Sequence, residues 1–459
     1  MAKKLSVKFK IIIAVLIAAV LCVVSALVFR FAVYQPDNLV FRGQSMNVSL
    51  SKERKKDYHI GLSSAVADDK PYAYNSEAMF YLQRLVYQPL LQMNNDGALN
   101  YVNASKIIFK NSGTEAYASV DSRVRFSNGE RLSADIVLKS YEWFMKNETD
   151  FADLLSNVAS IEKSDDKTLV FHFKEASFEN IKVFNIPVVY FDENSKFALG
   201  TGSYAVESLV FYGDITLSEN EYSKDKQKYD KIVLSPMNYN GLDNLNENQD
   251  YDIFLINKET QSDLIKDSKA YHIYEIGQDR GNYLIYNIEN LSVRRAVSSL
   301  VSGEEFFEST QDSGAYSKGI TSAYMKKPNY HSLLRKGNLN DISSLTIAYD
   351  HQGVSYSIYS ALAEALENSG VACKEKNVEV LETEQKINAD IIVYYGSLSD
   401  IVNSSDTKAF FDDYKKINAK SFNKNIEKYF ADQNKIAPLS KDTVWYASLA
   451  GRDNLGLFD

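Results

Sequence analysis

The stretch FSNGERLSADIVLKSYEWFMKN, Phe126 to Asn147, carries the clearest local structure in the chain. Asn128-Gly129 suits a tight turn because both residues tolerate positive φ. Ser133 is placed to cap a helix, with Asp135 in the first turn, where the macrodipole favours negative charge. Ile136, Val137, Tyr141 and Phe144 then recur at helical spacing and form one apolar stripe. The stretch therefore reads as strand, turn and amphipathic helix, a structural unit with no catalytic chemistry of its own.

Outward from this unit, strand and helix patterns keep alternating. Tyr58–Ser64 (YHIGLSS) reads as a first strand. Ser76 caps a helix expected to run through Leu91, with Met79, Leu82, Leu85, Val86 and Leu90 on one face. Further strands are expected over Ala104–Asn111, Tyr117–Phe126, Lys167–Phe173 and Asn282–Asn287. Helices are expected over Val293–Val301 and over Tyr356–Gly370, the latter stopped by its glycine. The last helix leads through VACKEKNVEV into ADIIVYYG, an arrangement that suits an α/β layer. Gly200-Thr201-Gly202 enters a strand and is followed by no GK[ST], so it lacks the marks of a phosphate loop.

The order of these pieces carries a resemblance. LVYQPLLQMNNDGAL (Leu85–Leu99), VRFSNGERLSADIVLKSYEW (Val124–Trp143) and SIEKSDDKTLVFHFKE (Ser160–Glu175) are followed by GTGSYAVESL (Gly200–Leu209). YLIYNIENLSVRRAVSSLVSGEEFFE (Tyr283–Glu308) and NKIAPLSKDTVWYA (Asn434–Ala447) come next. In this succession the chain resembles the family 5 extracellular solute-binding proteins, the oligopeptide, dipeptide and nickel receptors of ABC importers, over roughly residues 58 to 459. The resemblance implies an α/β, two-lobed, periplasmic-binding-protein-like fold with a hinge and an extra inserted domain. Lobe I would comprise residues 58–74, 191–288 and 441–459, the inserted domain 75–190, and lobe II 289–440.

The resemblance also places the ligand residues. Tyr72, Tyr74 and Asn75 follow the first strand, where cleft-lining residues are expected. Tyr283 and Tyr286 lie on the strand leading into the second lobe. Peptide-binding members carry a segment resembling GW.aDYpDP, whose carboxylate holds the ligand's amino terminus. The corresponding stretch here is VYYGSLSDIVNSSD (Val393–Asp406), in which Tyr395 stands near the Trp and the Asp-Tyr-Pro-Asp-Pro core is absent. Tyr394, Tyr395, Gly396 and the displaced Asp400 complete the candidate set. Core packing is the alternative for each tyrosine.

Composition narrows the functional classes. At 459 residues, 45% hydrophobic and 12% aromatic with 31 Tyr and 24 Phe, the chain can fill more than one core. A net charge of −9 argues against a nucleic-acid partner. The histidines, His59, His172, His272, His331 and His351, are scattered, with no HExxH, CxxC or EF-hand loop beside them. No GxSxG elbow is present, and Cys373 has no neighbouring base in sequence. Asp165-Asp166 and Asp412-Asp413 read as solvated turns. Neither a metal nor another cofactor is expected, and no enzymatic activity.

Residues 11–33 are expected to anchor the chain in a membrane. Ile11 to Phe29 is almost wholly apolar and, as a helix, would span roughly 28 Å, close to the thickness of a bilayer's hydrocarbon core. Lys3, Lys4, Lys8 and Lys10 in the preceding residues 1–10 favour an inside N-terminus. Cleaved signals are the alternative; against them, no small-x-small site ends the run, and Leu21 precedes Cys22. Residues 34–57 read as a linker. The function expected is a membrane-anchored receptor outside the cytoplasm for peptides or a similar small polar solute. It would deliver ligand to ABC permease subunits with separate ATPase subunits, since no P-loop is found. The alternative is a membrane-tethered sensor or scaffold that keeps the fold without transport.

Overall fold

Asn128 and Gly129 make the turn that their chemistry predicts: Gly129 has φ +85° and donates its N–H to the Phe126 carbonyl at 2.9 Å in the computed structural model. The structure describes residues 57–224, 227–237, 251–256, 271–350, 354–378, 387–452 and 454–457. Its strands in chain order are β1 (Asp57–Leu62), β2 (Leu91–Met93), β3 (Leu99–Tyr101), β4 (Ala104–Lys110), β5 (Glu115–Val120), β6 (Val158–Asp165), β7 (Thr168–Phe173), β8 (Tyr204–Leu209) and β9 (Ile215–Glu219). They continue as β10 (Lys231–Pro236), β11 (Ile253–Ile256), β12 (Tyr271–Tyr286), β13 (Ala315–Tyr316), β14 (Ser344–Asp350), β15 (Ala372–Val378), β16 (Ile391–Gly396), β17 (Ile417–Asn418) and β18 (Ile436–Leu449). The longer helices are α1 (Glu77–Leu85), α2 (Ala134–Lys146), α3 (Leu291–Leu300), α4 (Ser355–Asn368), α5 (Ser404–Asp413) and α6 (Phe422–Gln433).

An eleven-stranded mixed sheet runs β15-β14-β16-β12-β18-β11-β1-β10-β9-β8, with β13 paired to β18 off this path. Its two halves meet at β12 and β18, which are 16 and 14 residues long. On one side β18 pairs β11; on the other β12 pairs β16, from Gly281↔Gly396 to Tyr286↔Ile391. The parallel pairs β1–β10 and β14–β15 lie in opposite halves, and α4 packs on β14 and β15. In β16 the residues Ile391, Ile392 and Val393 are buried in this layer, which is why its sequence opens as an apolar run, whereas Tyr395 further along is exposed.

The second sheet, β17-β4-β5-β7-β6, is antiparallel. Here α2 packs against the sheet, with the Tyr141 ring 5.1 Å from Phe171 and its hydroxyl donating to the Val183 carbonyl at 2.9 Å. The edge strand β17 arrives from far along the chain, pairing Ile417 with Phe109 and Asn418 with Ile108. Phe411 and Phe422 flank it and sit 6.1 and 5.2 Å from the Phe109 ring. A two-residue strand gives no period to read in sequence, so this junction has no local signature.

Two sequence expectations change in extent. The helix capped by Ser76, whose hydroxyl accepts from the Met79 N–H at 3.1 Å, ends at Leu85 and not at Leu91. Pro89 lacks an N–H and disfavours helix before it, and the freed Val86 carbonyl instead accepts from Gly202 at 2.9 Å. Gly200-Thr201-Gly202 therefore serves the helix end: a Cβ at Gly202 would stand 2.2 Å from the Leu85 carbonyl oxygen. The strand expected over Tyr117–Phe126 closes at Val120, and Asp121 onward turns into the hairpin around Gly129. The apolar run Ile11–Phe29 lies outside the described residues; among those described, no helix is long and apolar enough to cross a membrane.

Candidate functional site at the strand crossing

Two strands shared by both halves of a sheet concentrate chemistry where their register breaks. β12 and β18 pair from Tyr271↔Leu449 to Gly277↔Thr443, and again from Gly281↔Lys441 to Ile285↔Ile436, with a shift between Gly277 and Gly281. Gly281 is required there, since a Cβ would fall 2.0 Å from the Ser440 carbonyl oxygen. Next to it Lys441 is 1% exposed and donates to the Asp279 carbonyl at 2.6 Å and to the Tyr283 hydroxyl. Burial lowers its pKa to about 8, against the opposing pull of the nearby Asp279 carboxylate. Asn282 donates to Asp312 at 2.8 Å and to the Ser440 hydroxyl at 3.0 Å, and Asp312 in turn accepts from the Gly314 N–H at 2.8 Å. Three chain segments are thus tied at the crossing by polar groups withdrawn from water.

Beside the crossing lies a pocket of about 230 Å³. The last turn of α1 contributes Arg84, the β2–β3 turn Asn94 and Asn95, and the segment after β13 Thr321 to Ala323. The floor is β12 itself, Ile276 to Asp279. Asn95 fixes the wall to the floor: its amide donates to the Glu275 carbonyl at 3.0 Å and its oxygen accepts from the Gly277 N–H at 3.1 Å. On the opposite side Lys182 is held between Glu179 at 2.6 Å and Asp279 at 2.8 Å. Burial works to raise the Asp279 pKa, but Lys182, together with Lys441 and Arg280, holds the carboxyl below its ordinary value. The Arg84 guanidinium lies 3.9 Å over the Phe80 ring and donates to the Phe80 carbonyl at 3.2 Å; burial lowers its pKa to about 10.

The residues singled out from sequence fall in three places, none of them on the walls of this pocket. Tyr72 is 5% exposed and packs 5.2 Å from Tyr87 and 5.5 Å from Trp143, while Tyr74 is exposed and Asn75 donates its backbone N–H to Asp150 at 2.7 Å. Tyr283 and Tyr286 are buried in β12; Tyr283 meets Lys441, and Tyr286 shares a 2.8 Å hydrogen bond with Ser298. Tyr394, Gly396 and Asp400 do come together, since a Cβ at Gly396 would lie 2.5 Å from the Tyr394 ring and 2.8 Å from the Asp400 carboxylate. That carboxylate accepts from the Ser397 N–H at 2.8 Å and so closes a capping box on the short helix that follows. Tyr395, 43% exposed, donates to Asp442 at 2.5 Å, and the Arg280 guanidinium sits 4.9 Å from its ring.

Arg84, Asn95, Lys182, Asp279 and Lys441 are the polar residues that sequence reasoning does not single out. Lys441 leaves a trace, as the cation that ends the uncharged run IAPLS just before Asp442. Arg84 leaves none, because a basic residue in a helix's last turn is ordinary complementation of the macrodipole. Among the described residues no three His, Cys, Asp or Glu side chains gather as a metal site.

Residues 121–421 match the model of the bacterial extracellular solute-binding proteins, family 5. Among solved structures, the unliganded open form of the periplasmic murein tripeptide-binding protein MppA aligns with TM-score 0.64 at 16% identity, over 86% of this chain and 93% of that one. The nickel ABC transporter structure from Bacillus halodurans aligns with TM-score 0.59 at 16% identity, over 86% and 95%. A substrate-binding protein of an ABC transporter from Sinorhizobium meliloti gives 0.56 at 12% identity, over 88% and 98%. At these identities the likenesses establish the fold. No curated protein is matched in sequence.

Proposed function

The chain belongs to the bacterial extracellular solute-binding proteins, family 5, and from that premise we propose that it is a membrane-anchored receptor for peptides or a similar small polar solute, handing its ligand to an ABC permease. Such receptors bind and release without changing the ligand, so no catalytic residue is assigned. The observation that carries the reading is the crossing itself. The halves of the main sheet meet at the two long strands β12 and β18, their register breaks between Gly277 and Gly281, and a polar-walled pocket opens beside the break. Bending of β12 and β18 over those residues would move one half against the other, the hinge mode of periplasmic-type binding proteins. On this reading residues 58–74, 191–288 and 441–459 form lobe I, residues 75–190 its inserted domain, and residues 289–440 lobe II. The apolar run within residues 11–33 holds the receptor on the outer face of the cell membrane, with its C-terminal domain outside the cytoplasm.

A membrane-tethered sensor or scaffold is the second reading, favoured by one observation. Asp400, the carboxylate nearest the position of the peptide anchor, is engaged as a helix cap. Deleting the gene and measuring uptake of labelled di- and tripeptides separates the two. A loss of uptake restored by the full-length chain supports the receptor. Unchanged uptake of every peptide supplied, with no ligand carried by the detergent-purified full chain in native mass spectrometry, favours the sensor.

A further inference from the structure

The tip of the β8–β9 hairpin sets three large apolar side chains in succession into solvent: Val210, Phe211 and Tyr212 are 55%, 58% and 73% exposed. The other exposed large apolar side chains among the described residues stand singly in sequence, which is ordinary for a protein surface, whereas a run of three is not. The turn is firmly made. Val210 donates its N–H to the Asp214 carbonyl and Gly213 to the Val210 carbonyl, both at 3.0 Å, and Tyr212 donates to the Val66 carbonyl at 2.9 Å. Tyr212 takes φ +58° in this turn, a left-handed conformation that is unfavourable for a bulky residue and suits Gly or Asn. Its side chain is the most exposed of the three, so no burial within the fold offsets that strain. Strain that packing does not offset points to a use outside the fold.

We propose that this tip is a membrane contact: Val210, Phe211 and Tyr212 enter the headgroup–acyl boundary of the bilayer that residues 11–33 would anchor in, and set one face of the protein against it. The proposal goes beyond the receptor reading and rests on its anchoring half. Register places the tip. Ile215 pairs Leu234, and Leu234 pairs Ile60, so the tip stands at the Leu62 end of β1, one strand length or roughly 20 Å from Asp57. About twenty linker residues precede Asp57 and, extended, would reach roughly 70 Å, so the tether leaves the tip free to meet the bilayer. Residue chemistry selects lipid. Phe and Val supply apolar area, and tyrosine, with an apolar ring and a polar hydroxyl, is enriched where a bilayer meets water. Residues 208–215 contain no Lys or Arg and a single acid, Asp214. Apolar burial, and not attraction to anionic headgroups, therefore drives the contact.

The test reconstitutes the full chain into phosphatidylcholine vesicles carrying brominated acyl chains, which quench an indole that enters the bilayer. Phe211→Trp is expected to lose its added emission as the bromolipid fraction rises, and equally so when phosphatidylglycerol is included. Tyr356→Trp, at an exposed position of α4 in the other half of the main sheet, is expected to keep its emission. The wild-type signal of Trp143 and Trp445 is subtracted from both. Tyr212→Gly is expected to keep or raise the thermal midpoint in detergent, since glycine takes the left-handed backbone without strain. A clear drop assigns the tyrosine to the fold and overturns the proposal. Absence of quenching at 211 overturns it too, as does equal quenching at 356. A blue-shifted but unquenched indole at 211 replaces lipid with a second copy of the chain. Carbonate extraction of the same vesicles reports the anchor separately. Release by carbonate refutes the anchoring half of the receptor reading, whereas a retained chain that is unquenched at 211 refutes only the tip contact.

Discussion

The ammonium of Lys441 donates to the hydroxyl of Tyr283 across the β18–β12 pair, with the Asp279 carbonyl 2.6 Å from the same nitrogen. One strand's cation is thereby locked to the other at the point where the two halves of the sheet join. Tyr283 is fully buried, and burial drives its pKa well above the ordinary phenol value, so it remains a neutral acceptor here. Water is excluded on both sides, which makes the contact strong and the protonated lysine expensive at once.

That expense sets a pH dependence. Lys441 titrates near 8 in the folded protein against an ordinary 10.5, so between those values the unfolded chain binds more protons and folding stability rises with pH. The full difference corresponds to roughly 3 kcal/mol as an order of magnitude. Urea unfolding of the wild type at pH 7.5 and 9.5 should show a gain that Lys441→Met lacks. Equal pH slopes in the two proteins would refute this account of the crossing.

Glu427 in α6 is a second buried charge with a structural office. Its two oxygens accept from the backbone N–H groups of Ile320, Thr321 and Tyr330 at 3.0, 2.8 and 2.9 Å, and from the Thr321 hydroxyl at 2.8 Å. The carboxylate thus holds the segment that supplies the Thr321–Ala323 wall of the pocket. Glu427→Gln turns one acceptor into a donor facing N–H groups and should cost about 2–4 kcal/mol in urea unfolding, while Glu427→Asp, too short to reach, should cost a comparable amount.

The contrast between these residues shows where sequence reading reaches and where it stops. The turn at Asn128-Gly129, the Ser133 cap and the stripe of Val137, Tyr141 and Phe144 are local, and each is legible because neighbours in sequence make the interaction. Family membership was legible for the same reason, as a succession of such local units. The pocket was not, because its walls come from positions 84, 93–95, 182, 276–279 and 321–323, brought together only by the tertiary fold. The tyrosines chosen from sequence illustrate the ambiguity of that residue. Tyr72 and Tyr286 turn their rings into cores, whereas Tyr74 and Tyr395 face outward, and period alone does not separate the two roles.

Gly113 tests the junction between the second sheet and α5. It has φ +86°, and a Cβ there would lie 2.6 Å from the Phe411 ring. Gly113→Ala combines a left-handed backbone with an overlap against an aromatic ring that is itself 1% exposed. A loss of about 2–4 kcal/mol is expected by urea unfolding. The double variant Gly113→Ala with Phe411→Leu should recover part of it, because the shorter side chain yields the space.

Tyr395 and Asp400 lie four residues past the start of β16 and in the helix after it, yet they should behave differently. Asp400 spends its carboxylate on the Ser397 N–H, so Asp400→Ala removes a cap and should cost about 1 kcal/mol in stability. Tyr395 is largely open, with Asp442 on its hydroxyl and Arg280 beside its ring, and both partners belong to the strands that cross. Under the receptor reading this exposed aromatic faces the ligand from the half of the sheet that carries β16. Tyr395→Ala should then weaken peptide binding by about fivefold or more, the effect of losing roughly 1 kcal/mol of contact, with little change in the thermal midpoint. Tyr395→Phe, which keeps the ring and gives up the bond to Asp442, should retain most of the affinity. Titration of both variants against the wild type measures the difference, and an Asp400→Ala variant that loses more affinity than Tyr395→Ala would return the anchoring role to the carboxylate.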